Sequence, residues 1–498
     1  MEEYRSLITL VMVAMYMVMC IGVGIWAMRR TKTAKDFFMA GRNLGIVVTG
    51  MAVFASTLSG FGFVGGPGLV YQMGLSSIWM VICVTIGYCL SFFLLAKRIR
   101  LFAELRDSIS LPDAVAARYN SELSRFLTAL AIILGVIGYL AAQINAMATV
   151  LQDILNNSPY FGEVSLELCV FISVSVLVFY CVTGGIIAAV YTDVVQGSVM
   201  IVAGVLVFFA AVSAFDGGAT EAVATIMADD SEAIGPWGTR GIMACLCWYF
   251  VFGLGGAGQP HIITKMMMNK KVTDAKYILP ISMGGFLVAA LLWISIGLAM
   301  RALVISGVHE PLAIADLAAP QFLRTYAHPL LAGVVFAALF AAIMSTADGF
   351  LNIGAASAIH DIPKAFGMKP LKHELRWVRI GTVLLAALAA SFALVSDDLV
   401  ALLGAFGWGT FAAALVPAVA IGFNWKRATA LAVNVAIISS LVINLSVKLF
   451  DMYMGRTIPY LMDGGALALI VSLTLFFGIS LLSPPPKLDP DIEAVMDL

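Results

Sequence analysis

Charge is scarce in this chain. Of its 498 residues only 12% are Asp, Glu, Lys or Arg, while 61% are hydrophobic and the mean hydropathy is +0.98. A soluble domain needs roughly a quarter of its residues charged to cover its surface, so the outside of this protein must be lipid. The net charge of -1 gives no reason to expect a nucleic-acid partner. The seven cysteines (20, 83, 89, 169, 181, 245 and 247) all fall in apolar stretches, without zinc spacing or a disulfide framework. They read as small membrane-helix residues; Cys245 and Cys247 point to different helix faces. The five histidines show no metal spacing, no nucleophile motif appears, and no sizeable soluble segment exists to carry signalling. An enzyme, a cofactor and an obligatory protein partner are therefore not expected.

Long apolar runs are what the chain does have. About 20 apolar residues cross the hydrocarbon core, and by that measure thirteen spans are expected. They cover 6–28, 44–72, 76–96, 126–151, 163–184, 188–213, 241–264, 277–302, 329–358, 378–396, 399–423, 428–448 and 459–482. The first is too long for a signal peptide, follows Glu2 and Glu3, and has no small-residue cleavage site, so it reads as a retained span. Residues 253–258, GLGGAG, fit a dinucleotide fingerprint, but that motif needs a preceding strand in a soluble unit. It is rejected here.

Alternate loops of this arrangement collect 23 of the 29 basic residues, Lys265 in the loop after the seventh span among them. Cytoplasmic loops carry such an excess, which puts the N-terminus outside and the C-terminus inside. Residues 97–120 mix basic and apolar side chains and are expected at the cytoplasmic interface. Residues 303–328 read as short outer helices. The tail, Pro-rich and then acidic, is expected to be disordered.

Two spans carry Gly and Pro clusters: VFASTLSGFGFVGGPGLV at 53–70 and FGLGGAGQPH at 252–261. Helices in lipid tolerate such clusters where the freed backbone lines a protected cavity. Each cluster opens a run of five spans, and interrupted segments at corresponding places in two halves point to an inverted repeat with its site at midplane. The chain then divides into a flanking helix and loop (1–40), two five-span repeats (41–215 and 216–425), two further flanking helices (426–482) and a tail (483–498). Intramembrane acids are functional hypotheses by default. Here they are Asp193, near the start of the sixth span, and Asp348, deep in the ninth. Ser345 and Asp348 are three residues apart on one helix face, with Thr346 adjacent; these hard oxygens suit Na⁺ rather than a soft metal. Gln143, Trp248, Gln259, Phe406 and Trp408 are further midplane candidates, and the two buried amides need partners, either a polar ligand or a helix break.

The chain resembles the sodium:solute symporter family. The pieces are KTAKDFFMAGRNLG (32–45), ASTLSGFGFVGGPG (55–68), SLPDAVAARY (110–119), TGGIIAAVYTDVVQG (183–197), GQPH (258–261) and AAIMSTADG (341–349). The resemblance implies an all-α, leucine-transporter-type five-plus-five inverted repeat that works by alternating access. It implies symport of Na⁺ with a small organic solute, an amino acid or a carboxylate, in the cell (inner) membrane. The principal Na⁺ site it implies uses the carbonyls of Ala55, Leu58 and Ala342 and the hydroxyls of Ser345 and Thr346. Asp193 and Asp348 stand as a possible second Na⁺ site, since some family members bind a second sodium with an acid matching Asp193. Tyr139 matches a pocket tyrosine. Thr57 replaces the proline carrier's aspartate, and Phe252 and Gly256 replace its pocket tryptophan and tyrosine. That change leaves room for a solute other than proline. With Gln143, Gln259 and Phe406, these residues make up the expected substrate pocket.

A proton-coupled symporter of the same fold is the alternative within this class. A channel is the alternative outside it, and would need a continuous polar pore where the sequence shows isolated polar groups. The expected topology is checked by placing single cysteines at positions 230 and 368, which an impermeant reagent should label from opposite sides. Labelling of both from one side overturns the orientation.

Overall fold

The computed structural model describes residues 4–29, 34–369, 371–396, 399–454 and 464–498. Arg30, Lys32 and Arg456, which belong to the loop charge tally, lie outside them. The described residues are helical throughout, with one isolated bridge between Leu44 and Asn269. In lipid a helix satisfies its own backbone, and mean hydropathies of 1.6 to 2.4 in the long helices leave no other use for these segments. The helices that matter below are, in chain order, α1 (Arg5–Met28), α2 (Ile46–Thr57), α3 (Gly66–Met73), α4 (Ile78–Ser91), α5 (Leu111–Tyr119), α6 (Glu122–Asn156) and α7 (Leu166–Ser213). They continue with α8 (Gly241–Trp248), α9 (Pro260–Met267), α10 (Ala275–Ala289), α11 (Leu291–Ile305) and α12 (Pro329–Ala356). The last are α13 (Glu374–Val395), α14 (Val400–Leu415), α15 (Ala430–Met454), α16 (Gly464–Leu482) and α17 (Pro490–Met496).

Twelve helical stretches among the described residues are long and apolar enough to cross a membrane. Two features decide how they are counted. The 48 residues of α7 would reach about 72 Å as one rod, but Gly185 at φ 56°, ψ -163° turns the chain. The spans Leu166–Thr183 and Gly185–Ser213 result. The stretch Phe61–Leu105 holds α3 and α4 with Gly74 between them, and α2 is the 12-residue piece left over. The thirteen expected spans and the twelve helices therefore differ only at this interrupted second span.

Burial separates centre from rim. The apolar windows of α14 (89% buried), α6 and α12 (both 78%) form the core, while that of α1 (22%) packs on α7 and α12 from outside. The segment after α4 departs from expectation. Helix α5 is packed into the protein rather than laid on its surface: nearly all of it is buried, and Arg118 donates to the carbonyls of Gly422 (3.0 Å) and Trp425 (3.1 Å). Asp113 ties α5 to its neighbours through Arg125, Lys364 (2.7 Å) and His360 (3.2 Å). Burial works against its charge, but His360 and Lys364 hold the carboxyl well below its usual range.

The tail also departs from expectation. Residues 490–496 form α17, with Ile492, Val495 and Met496 buried. Its acids meet the basic loops: Asp489 and Asp491 lie 2.6 Å from Arg106, and Lys426 reaches Glu493 (3.0 Å) and Asp497 (2.8 Å). Such exposed pairs contribute under about 1 kcal/mol each, so the three apolar side chains set the docking.

The turn at Gly74 gives a direct test of the fold. Its backbone (φ 62°, ψ -145°) is one that L residues adopt at a cost of order 1–3 kcal/mol. An added Cβ would also stand 2.2 Å from the Ala233 carbonyl oxygen. Gly74→Ala should lower the melting temperature of the purified protein, whereas Gly22→Ala, with nothing within 4 Å, should not. Equal melting temperatures would contradict this turn.

Candidate functional site

The site begins with a diverted amide. In an unbroken helix Gly60 N–H would donate to the Ser56 carbonyl, and Ser59 N–H to that of Ala55. Here α2 ends at Thr57, and Leu58 leaves helical geometry at φ -86°, ψ 79°. The Gly60 amide donates instead to Gln143 Oε1 on α6 at 2.9 Å. The Gln143 amide group donates to Ser59 Oγ (3.3 Å), which in turn accepts from Phe61 N (3.1 Å) and lies 3.1 Å from the Tyr139 hydroxyl. Tyr139 and Gln143 thus hold the first break open. Of the two roles weighed for Gln143, the helix break is the one observed.

The freed carbonyls turn to α12. Ser345 Oγ lies 3.1 Å from Ala55 O and 3.0 Å from Ala342 O. Thr346 Oγ1 lies 3.1 Å from both Ser56 O and Ala342 O. These groups are wholly buried. The structure therefore brings together Ala55, Ala342, Ser345 and Thr346, with Leu58 at the break itself. It adds the Ser56 carbonyl, which the sequence reading missed. A second hydroxyl on α12 beside Ser345 was the signal that a second carbonyl should face it.

The second break mirrors the first. A wide turn over Tyr249–Gly253 and a tight one over Leu254–Gly258 lead to Gln259, extended at φ -78°, ψ 113°. Pro260 then starts α9, where its missing N–H costs nothing and its ring forces the preceding residue out of helix. Gln259 Nε2 donates to the carbonyls of Gly255 (2.9 Å) and Trp408 (3.2 Å), while its Oε1 has no partner among the described residues. Across from it, Thr57 Oγ1 lies 3.4 Å from His261 Nε2. His261 Nδ1 likewise has no partner among the described residues. The Trp408 ring gathers Phe252 (5.5 Å), His261 (5.8 Å) and Tyr139 (6.4 Å), and its Nε1 donates to Val251 O at 3.0 Å. Histidine spacing does not single out His261; its signal in the sequence is its place in GQPH, just after the second break.

Four expectations need correcting. Gly256 does not open the pocket: it abuts Gly87 of α4, whose Cα would stand 2.6 Å from an added Cβ. A side chain is excluded there by helix packing, and no room is gained. Phe406 points away from the breaks, into a cavity of about 190 Å³ shared with Phe392, Leu441 and Asn444. Lys265 is no loop residue; it is buried in α9, with its ammonium 3.3 Å from Asp193 Oδ2 and 2.6 Å from Ala52 O. Asp348 lies within electrostatic reach of Tyr16, Cys20 and Cys181. The two acids expected to share an ion site thus have different surroundings.

Comparison with known proteins agrees with this architecture. The sequence pattern of the sodium:solute symporter family matches residues 37–440. The osmoregulated proline transporter OpuE of Bacillus subtilis is 28% identical over 430 residues, covering 85% of each chain. The sodium/proline symporter of Haemophilus influenzae is 30% identical over 426 residues, covering 82% of this chain and 81% of that one. Among solved structures, a substrate-bound, outward-open Na⁺-coupled sialic acid symporter superposes with a TM-score of 0.77 at 21% identity, covering 97% and 99% of the chains. Mhp1, a nucleobase-cation-symport-1 family transporter, gives 0.56 at 14%, covering 93% and 98%. Both likenesses establish the leucine-transporter-type fold. The chain belongs to the sodium:solute symporter family, as a multi-pass cell-membrane carrier that couples a small solute to Na⁺.

Proposed function

We propose that Na⁺ binds between α2 and α12, on the carbonyls of Ala55, Ser56, Leu58 and Ala342 and the hydroxyls of Ser345 and Thr346. The observation that supports this reading is a chain of five oxygens at the first break, each 3.0 or 3.1 Å from the next. An ion in a buried site must replace its hydration shell with protein oxygens, and a hydroxyl can turn its proton aside to do so. Bound there, Na⁺ holds the first five-span repeat (41–215) to the second (216–425), in a chain that with its three flanking helices has thirteen spans and the N-terminus outside. Ion and solute then strengthen each other reciprocally. Each charge moved inward gains about 2.3 kcal/mol per 100 mV, enough to concentrate a solute roughly fiftyfold.

The solute we place between the breaks is an amino acid or small carboxylate. Gln259 Oε1 and His261 Nδ1 are buried polar atoms left for it, beside Thr57, Tyr139, Phe252 and Trp408. Gly256 lies against Gly87 and adds no room that would exclude proline in favour of another solute. Proline, the solute named for the curated relatives, is therefore among those expected to fit.

Ser345→Ala and Thr346→Ala should each raise the Na⁺ concentration for half-maximal uptake about tenfold, the equivalent of about 1.4 kcal/mol. Saturating Na⁺ should largely restore solute binding. Wild-type Na⁺ dependence in both variants, measured in proteoliposomes, would remove this site. For the solute, a thermal-shift screen of amino acids and carboxylates should give a hit that needs Na⁺ and weakens in His261→Ala. A hit of equal strength without Na⁺ counts against coupling at this place.

A further inference from the structure

Lys265 puts a positive charge deep in a protein whose transported ion is also positive. Its side chain is 3% exposed and that of Asp193 is 0% exposed. The ammonium lies 3.3 Å from Asp193 Oδ2 and 2.6 Å from the Ala52 carbonyl. The three groups come from different elements: α9 after the second break, the Gly185–Ser213 part of α7, and α2 before the first break. The Ala52 carbonyl also accepts from the Ser56 hydroxyl at 2.9 Å, and the Ser56 carbonyl faces Thr346 Oγ1 at 3.1 Å. Ser56, through its hydroxyl on one side and its carbonyl on the other, therefore joins the ion pair to the candidate Na⁺ site one helical turn away.

A buried carboxylate needs a compensating charge, and one monovalent cation is enough. Lys265 supplies that cation on a tether, at an effective concentration that dissolved Na⁺ does not match. Adding Na⁺ beside the ammonium would set two positive charges on one carboxylate in a low-dielectric setting, where like charges repel strongly. Asp193 Oδ1 has no hydrogen-bond partner among the described residues, so charge balance rather than lack of an oxygen keeps a second ion out.

We propose that the Lys265 ammonium is the resident cation of Asp193, so that Asp193 is not a sodium ligand and the carrier couples a single Na⁺. The same ammonium, through Ala52, holds α2 and α9 against α7. The location of that single ion rests on the site proposed above; the count does not.

The experiment is equilibrium binding of radiosodium to the purified full chain, counted as ions per protein. The wild type should bind one ion. Lys265→Met/Asp193→Asn, which removes both charges together, should also bind one. Lys265→Met alone should bind two, because the acid then takes its cation from solution. Two ions in the wild type overturn the proposal, as does loss of the ion in the double variant or a single ion in Lys265→Met. Should Lys265→Met fail to fold, the wild type and the double variant still decide. Ser345→Ala/Thr346→Ala separates the two readings: one ion still bound there at wild-type affinity moves the sodium site while leaving the count intact.

Discussion

A backbone amide or carbonyl released inside the membrane has no water to turn to, so each interruption of a helix must be answered by a particular side chain. At the first break that answer is Gln143, which takes the Gly60 amide and so deprives Ser56 of its helical donor. Everything at the candidate ion site follows from this. The carbonyls of Ala55 and Ser56 are left facing α12, where two adjacent hydroxyls meet them. At the second break Gln259 and Pro260 divide the same task, one supplying donors and the other lacking one. The two carbonyls offered to α12 are thus products of the first break, which α6 holds open through Gln143.

The two halves of the first broken span are each held by a cation at a carbonyl. On the α2 half Lys265 reaches Ala52. On the α3 half Arg301 of α11 donates to Tyr71 (3.1 Å) and Gln72 (3.3 Å) while pairing with Asp230 at 3.0 Å. Tyr71 and Gln72 end α3, where unbonded carbonyls and the helix dipole both favour positive charge. Each clamp spans a broken helix and its neighbours, so movement of either half requires a charged contact to be exchanged. Alternation between two arrangements needs discrete contacts of this kind rather than a continuously yielding core.

Small residues let the second broken span sit close to α4. The Gly87 and Gly256 backbones approach within the space of one side chain, and Ser91 Oγ donates to Gly256 O at 2.7 Å. Close backbone approach through small residues is a general device of membrane helices. Here it fixes the second break at a set distance from the first, leaving the Trp408, His261 and Phe252 rings to fill the interval.

Composition and periodicity alone determined that this chain is a bundle of membrane helices, and its Gly and Pro clusters located both breaks to within a few residues. Ser345 and Thr346 were legible as candidates because they stand beside an acid in a long apolar run and a broken helix is there to face them; hydroxyls alone would only bond back to their own helix, as both also do to Ala342. What the sequence could not carry was which groups far apart in the chain meet. Lys265 reads as loop charge because it stands among the basic residues after an apolar run; only the packing of α9 against α2 and α7 makes it the partner of Asp193. Gly256 reads as an emptied pocket position until α4 is seen to occupy that space. The tail reads as disordered because its composition is polar, yet three apolar residues and the facing Arg106 and Lys426 dock it. Periodicity reports what one helix offers to its surroundings, whereas partners are chosen by the relative placement of helices, which is decided only when all of them pack.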